Sequence, residues 1–318
     1  MILDCDPGHD DAFAIALAAG DPTVELVAIT TVAGNQVLEK TTRNACVMCT
    51  LLGIPGTPVV AGCDRPLVRP LRTAPEFHGP SGLDGPPPVE PEVAPRPGHA
   101  VDWIVDSVMA SPGEITLVAT GPLTNVALAL RKEPAIVGAV REVVLMGGAY
   151  ARGNVTPAAE FNIFVDPEAA QVVFEAPWRL TMMGLELTHQ ATFSGVEERR
   201  LEEMGTPLSC FLADLMRYYR RAYRSAAAME DPPVHDPCAV AYVVDPALFE
   251  IASAHVEVET NGTWTTGMTV TDFRAADGRT RRVDVGVKLD RTRFWDLVLG
   301  AVERAGARRA GRAPPTMR

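Results

Sequence analysis

Basic residues are scarce in this chain: 29 Lys and Arg stand against 40 Asp and Glu among 318 residues, a formal net charge of −11. No extended Lys/Arg cluster occurs, the tail included, where Arg308, Arg309 and Arg312 stand. Phosphate-backbone binding needs such clusters, so a nucleic-acid polymer is not an expected partner. Long apolar runs are also missing. No stretch reaches the roughly 20 residues of a membrane-spanning helix, and the first residues show neither the basic nor the apolar segment of a secretory signal. The expected compartment is therefore the cytoplasm, with no membrane partner. Six scattered cysteines make no disulfide framework in a chain of this length. Cys46 and Cys49 have C-x-x-C spacing but lie in a helix-patterned run without a second pair, so they are expected to be half-buried core thiols. Walker A and G-x-G-x-x-G loops are absent, which removes two common phosphate cradles.

What remains is a globular composition, 47% hydrophobic and 22% charged. The spacing predicts strands over residues 1–5, 24–32 and 58–61, and helices over 10–19 and 38–52 closed by Gly20 and Gly53. After a Pro/Gly-rich stretch (63–97), Val101, Ile104, Val105, Val108 and Met109 share a helical face. A strand at 115–119, a helix at 124–131 and a strand at 143–146 follow. This alternation predicts an α/β fold: an open, mostly parallel, doubly wound sheet flanked by helices. The later half reads as a smaller, irregular, β-containing portion, with helices at 208–227 and 237–244 and strands at 255–259, 268–272 and 283–288. A last helix carries Phe294, Leu297, Val298, Ala301 and Val302 on one face. Neither a repeat nor a linker divides the chain, so one domain is expected over residues 1–306, with a frayed tail at 307–318.

The stretch Asp4-Cys5-Asp6-Pro7-Gly8-His9-Asp10-Asp11 ends the first strand and opens the first helix. It sets up to four carboxylates at the carboxyl edge of a parallel strand, where open α/β sheets bind ligands. A helix N-terminus favours one carboxylate by roughly 0.3–1 kcal/mol, less than the mutual repulsion of four. A hard divalent cation with oxygen ligands resolves this. The bland alternative is that Asp10 and Asp11 cap the helix while Asp4 faces solvent; it suits any one residue better than it suits the set. An EF-hand is excluded, because the sixth loop position is His9 and the twelfth Ile15. A haloacid-dehalogenase-type phosphatase also starts with Asp-x-Asp, but it needs a small hydroxyl or β-branched residue where Gly8 stands, and has no use for Asp10-Asp11.

The same stretch resembles the N-terminal signature of the inosine-uridine preferring nucleoside hydrolases. The resemblance continues through Thr30-Thr31-Val32-Ala33-Gly34-Asn35, Thr120-Gly121-Pro122-Leu123-Thr124-Asn125, Val144-Leu145-Met146-Gly147-Gly148, Glu160-Phe161-Asn162-Ile163 and Val234-His235-Asp236-Pro237. It implies one Ca2+ per chain, held by Asp6, Asp11, Asp236, the carbonyl of Thr120, a water and two ribose hydroxyls. It implies Asp10 as the general base for the water and Asp4 as a residue orienting its neighbours. Asn35, Asn154, Glu160 and Asn162 would grip the ribose, although Asn35 and Asn154 beside glycines also suit plain turns. Met146 and Phe161 would give apolar contact, and His78, Tyr219 and Tyr223 would line the base pocket or lid. The two tyrosines also have ordinary core spacing.

A lone His before a helix is usually structural, but His235 directly precedes Asp236 and the resemblance makes it the proton donor to the departing base. An ordinary imidazole pKa near 6.5 suits that role. His189 has a counterpart in the family without an evident role and is read as structural. The expected activity is Ca2+-dependent hydrolysis of purine and pyrimidine ribonucleosides to base and ribose in nucleoside salvage, by a homo-oligomer (dimer or tetramer). A pyrimidine-specific hydrolase is the nearest alternative. A non-catalytic Ca2+ or sugar-binding protein is the alternative of another class, against which Asp10 and His235 both argue.

Overall fold

The strand at the chain's start is the one around which the sheet divides. The computed structural model describes residues 1–274 and 283–310. In chain order the elements are β1 (Ile2–Cys5), α1 (His9–Gly20), β2 (Ala28–Thr31), α2 (Leu38–Leu52), β3 (Val59–Ala61), α3 (Pro75–His78), α4 (Ala100–Ala110), β4 (Thr116–Ala119), α5 (Thr124–Lys132), α6 (Ile136–Ala139) and β5 (Glu142–Met146). They continue with α7 (Phe161–Val165), α8 (Pro167–Glu175), β6 (Leu180–Met183), α9 (Leu185–Thr188), α10 (Gly195–Met204), α11 (Pro207–Ala227), α12 (Pro237–Val244), β7 (Phe249–Val258), β8 (Thr269–Asp272), β9 (Val283–Leu289) and α13 (Arg291–Ala310).

Among the described residues these strands form one sheet in the order β3-β2-β1-β4-β5-β6-β9-β7-β8. Pairing is parallel from β3 across to β9, and β7 and β8 extend the sheet antiparallel. The chain winds outward from β1 to β3, then returns to β4 on the other side of β1. The β1/β4 junction is thus the point of reversal, where the ends of parallel strands leave an open crevice. The loop after β1 carries the aspartates, and the loop after β4 carries Thr120.

Strand side chains alternate between two cores. Leu3, Val118 and Val144 join the core under α1, α2, α11, α12 and α13, while Ile2, Leu117 and Val143 join the core under α4, α5 and α8. The doubly wound expectation is met, since a parallel sheet buried on both faces requires cover on each. Helix α1 is buried nearly all round, because α12, α13, α2 and α11 all pack against it. No described helix is long and apolar enough to cross a membrane.

Several expectations need correction. Gly20 is the last residue of α1, as expected, but its role lies in packing: a Cβ there would sit 2.3 Å from the carbonyl oxygen of Ala301, so this glycine admits α13. Gly53 does close α2, at φ 65°. Strand β2 starts only at Ala28, because Asp21 turns the chain by accepting the Thr23 N–H and hydroxyl at 2.9 and 2.6 Å. Strand β7 starts earlier than expected and carries a bulge at Glu250/Ile251. Helix α13 continues through Ala310, beyond the expected start of the tail. Arg304 donates to the Gly20 carbonyl at 3.0 Å and Arg308 to the Ala19 carbonyl at 2.6 Å, joining it to the electronegative end of α1. The rest of that tail, residues 311–318, lies outside the described residues.

Candidate active site

The acidic loop folds back under its own helix. The Asp11 carboxylate accepts the Gly8 N–H at 2.9 Å, closing the first turn of α1, and also takes the Thr120 hydroxyl at 2.9 Å and the Asn35 amide at 3.3 Å. Capping is therefore a genuine part of its role. Asp6 accepts the Asn35 N–H at 2.6 Å with one oxygen, while its Oδ1 is buried without a partner. The backbone crowds Asp6 closely: a Cβ on Gly34 would lie 2.1 Å from Asp6 Oδ2, and one on Gly121 2.7 Å from Oδ1. Asp236 enters from the segment before α12, and its Oδ2 is likewise buried and unpartnered. The backbone N–H of His235 donates to Asp10 Oδ2 at 3.3 Å.

Oxygens of Asp10, Asp11 and Asp236 converge within 4.8 Å of one another. The tightest triad thus includes Asp10, expected as the base, while Asp6 stands beside it. Burial first, then mutual charge, pushes the Asp6, Asp10 and Asp236 carboxyls above the usual range, and burial raises Asp11. Two like charges about 4 Å apart repel by about 4 kcal/mol at an effective dielectric of 20. Helices α1 and α12 both begin here, but each terminus contributes only about 0.3–1 kcal/mol. The buried unpartnered oxygens, the all-oxygen donor set and the unrelieved repulsion fit a hard divalent cation.

Asp4 is wholly buried, so the solvent-facing alternative fails. Its Oδ1 accepts the Thr30 hydroxyl at 2.6 Å and the Asn125 amide at 2.8 Å. Asn125 also donates to the Thr31 carbonyl and accepts the Cys63 N–H, which ties β1, β2 and the loop after β3 together. Asp4 therefore braces strand ends and touches none of the other aspartates through a hydrogen bond. Burial raises its carboxyl to about 7.

Above the aspartates opens a cavity of about 600 Å³. Its walls include Asp10, Thr120, Asp236, Asn35, His78, Met146, Asn154, Glu160, Phe161, Asn162, Tyr219, Tyr223 and His235, while Asp6 and Asp11 lie beneath. Nearly every residue singled out in the sequence thus meets here. Glu160 is more engaged than expected: it caps α7, accepting N–H groups of Gly148, Asn162 and Ile163 at 2.9–3.1 Å. Burial raises its carboxyl to about 7. Asn154 accepts the Phe161 N–H at 2.9 Å, and Asn162 donates to the Thr120 and Met146 carbonyls at 2.9 and 3.2 Å.

His235 departs from its expected state. Its Nδ1 lies 2.8 Å from the Thr188 hydroxyl and its Nε2 3.0 Å from the Tyr223 hydroxyl. Burial, aided by neighbouring His189, lowers its pKa to about 3 in place of 6.5, so the ring is neutral at pH 7. Tyr223 in turn accepts the Tyr219 hydroxyl at 3.4 Å. His189 also reaches the cavity, its Nδ1 accepting from Arg152 at 3.3 Å, and its pKa is lowered by burial and by that cation. Sequence reasoning missed Arg152, Arg72 and Phe77 on the walls. Only Phe77 carried a signal, as the neighbour of His78, and its ring packs 5.0 Å from that of Tyr223.

The raised carboxyls have a thermodynamic consequence. A carboxyl whose folded pKa lies above its unfolded value near 4 adds stability that is complete below pH 4 and is lost as pH rises through the folded pKa near 7. Above pH 7 the histidines of the unfolded chain, near 6.5, are mostly neutral, so the carboxyls dominate. With a chelator, the Tm is expected to fall between pH 7 and pH 8, and saturating Ca2+ should shrink that fall. A chelated protein whose Tm rises over the same interval would contradict the charge burial described here.

The model of the family described as inosine-uridine preferring nucleoside hydrolase matches residues 1–296. The inosine-uridine preferring nucleoside hydrolase of Leishmania major is 50% identical over 310 residues, covering 96% of this chain and 98% of that one. A pyrimidine-specific ribonucleoside hydrolase of Salmonella typhi is 44% identical over 299 residues, covering 94% and 96%. Among solved structures, the purine-preferring ribonucleoside hydrolase from Gardnerella vaginalis superposes with a TM-score of 0.91 at 34% identity, covering 96% of this chain and 99% of that one. With fold, cavity and acidic floor in agreement along the same residues, this chain belongs to the inosine-uridine preferring nucleoside hydrolase family.

Proposed function

We propose that this nucleoside hydrolase cleaves the N-glycosidic bond of both purine and pyrimidine ribonucleosides, and that it depends on one Ca2+ per chain. The observation that carries the reading is the convergence of Asp10, Asp11 and Asp236 at the floor of the cavity, beside unpartnered oxygens of Asp6 and Asp236. Asp6, Asp11, Asp236 and the Thr120 carbonyl would hold the cation. When bound, it supplies an anchor for ribose hydroxyls and makes a water more acidic. Asp10, fixed by the His235 N–H, is the group to take the proton from the attacking water. The breaking bond builds positive charge on the ribose, and a floor of carboxylates stabilises that charge more than it stabilises neutral substrate.

Asn35, Asn154, Glu160 and Asn162 orient the sugar, and Met146 and Phe161 pack against it. On the base side, His78, Tyr219, Tyr223 and His235 meet the leaving group. As a neutral ring between two hydroxyls, His235 serves by orienting the Tyr223 and Thr188 hydroxyls on the base side. Broad base acceptance is favoured by the name of the Leishmania major relative, whose identity to this chain exceeds that of the pyrimidine-specific Salmonella typhi protein. The reading extends to nucleoside salvage in the cytoplasm by a homo-oligomer. Six free cysteines, five of them buried, suit a reducing compartment.

The test is ribose release from inosine, uridine, cytidine and adenosine, combined with elemental analysis of the protein before and after chelation. About one Ca2+ per chain, with activity lost on chelation and restored by Ca2+, is expected. Zinc in its place, or full activity without any metal, would refute the cation; absence of ribose release from every nucleoside would refute the substrate class.

A further inference from the structure

His9 sits in the middle of the acidic loop, yet its side chain turns away from the carboxylates. Its ring is wholly buried between those of Tyr218 and Tyr219, with centroids 5.4 and 5.1 Å away and planes inclined by only 21° and 10°. Its Nε2 lies 2.8 Å from the carbonyl oxygen of Asp84. A carbonyl only accepts, so that nitrogen carries a proton. On the other edge, Nδ1 of His9 lies 3.2 Å from Nδ1 of His78, and the backbone N–H of His9 donates to the same His78 nitrogen at 3.2 Å. A backbone N–H only donates, so His78 Nδ1 accepts and a neutral His78 bears its proton on Nε2.

Residues 78 and 84 close a loop, the Asp84 N–H reaching the His78 carbonyl at 3.4 Å. His9 therefore holds both ends of it, Asp84 through its ring and His78 through its backbone N–H; its own Nδ1, left without a proton, makes no bond to His78 Nδ1. Gly8 keeps the space for this approach, since a Cβ there would lie 2.5 Å from His78 Nδ1. The His78 ring lines the cavity, and no described residue takes its Nε2.

We propose that His9 is a positioning residue for His78: by clamping both ends of the loop 78–84 it holds the His78 ring with Nε2–H as a donor to the nucleobase. The inference rests on the reading of the cavity as a nucleoside site with His78 on the base side. The His9 ring bonds to none of the carboxylates of the floor, so its loss should act on the departing base. A poor leaving group needs that donor; a phenolate that departs unaided does not.

The experiment compares inosine with p-nitrophenyl riboside for wild type, His9→Leu, His9→Gln, His9→Phe and His78→Ala, with calcium content measured in each preparation. His9→Leu fills the slot between the tyrosines without a nitrogen, and kcat on inosine should fall at least tenfold, with p-nitrophenyl riboside changed less than threefold. His9→Gln returns a donor near the position of Nε2 and should recover part of the loss. His9→Phe keeps a ring beside the tyrosines without its nitrogens, should show the same selective loss, and serves if His9→Leu does not fold. Equal losses on both substrates, in His9→Leu or in His9→Phe, would overturn the positioning role. If His78→Ala leaves the substrate ratio unchanged, the assignment of His78 to the base fails and takes the inference with it. If His78→Ala shifts the ratio and the His9 variants do not, only the inference falls.

Discussion

Asp10→Asn should lower kcat on inosine by on the order of 10² to 10⁴, the usual range for loss of a general base. Asparagine keeps the size of the side chain, and its carbonyl oxygen can still accept the His235 N–H now directed at Asp10 Oδ2. What it loses is the capacity to accept a proton. The experiment is informative because Asp10 belongs to the converging triad together with Asp11 and Asp236. With Asp10 as the base, calcium content stays near that of the wild type and added Ca2+ does not restore the rate. Loss of calcium with recovery in excess Ca2+ would make Asp10 chiefly a ligand, and the proton acceptor would have to be sought elsewhere on the floor.

The second large effect concerns the sugar. Uridine is expected to exceed 2′-deoxyuridine in kcat/KM by on the order of 10³ or more, because a site built to pair a hydroxyl is left with buried polar groups unpaired when the hydroxyl is missing. Asp236 illustrates the cost. Its carboxylate lines the cavity, is 3% exposed, and has one oxygen without any protein partner. An aliphatic 2′-carbon facing it returns nothing for the water displaced. Comparable kcat/KM for the two nucleosides would show that the floor does not engage the 2′ position.

The sheet and the acidic floor were legible because they are made of local signals. Strand β1 running into Asp4–Asp11 and α1 is contiguous in sequence, and its place at a strand end follows from the alternation of elements alone. Strand β6 was missed: Leu180–Met183, four residues buried on both faces, lacks the two-residue alternation of a half-exposed strand, as do β1, β2 and β4, which were read from the alternation of elements around them. Gly20 had the position of a helix stop, but the backbone of α13 that approaches it comes from the far end of the chain. The state of His235 was out of reach for the same reason, since burial by distant elements moves its pKa. His9 stood within the recognised motif, and its work became visible only when the Asp84 carbonyl and two tyrosine rings were placed around it.

The packing of α13 against α1 also bears on how the chain comes to be folded. The first strand and helix are synthesised first, but Phe13 packs at 6.2 Å from Trp295, and Gly20 closes on Ala301. The hydrogen bond between His235 and Asp10 spans 225 positions of sequence. Contacts this distant require long loops to close and are slow to form. An emerging chain therefore carries an apolar α1 without its cover, and its N-terminal acids remain hydrated. The like charges are forced together only when the C-terminal helices dock, so no N-terminal fragment holds the completed floor of the site.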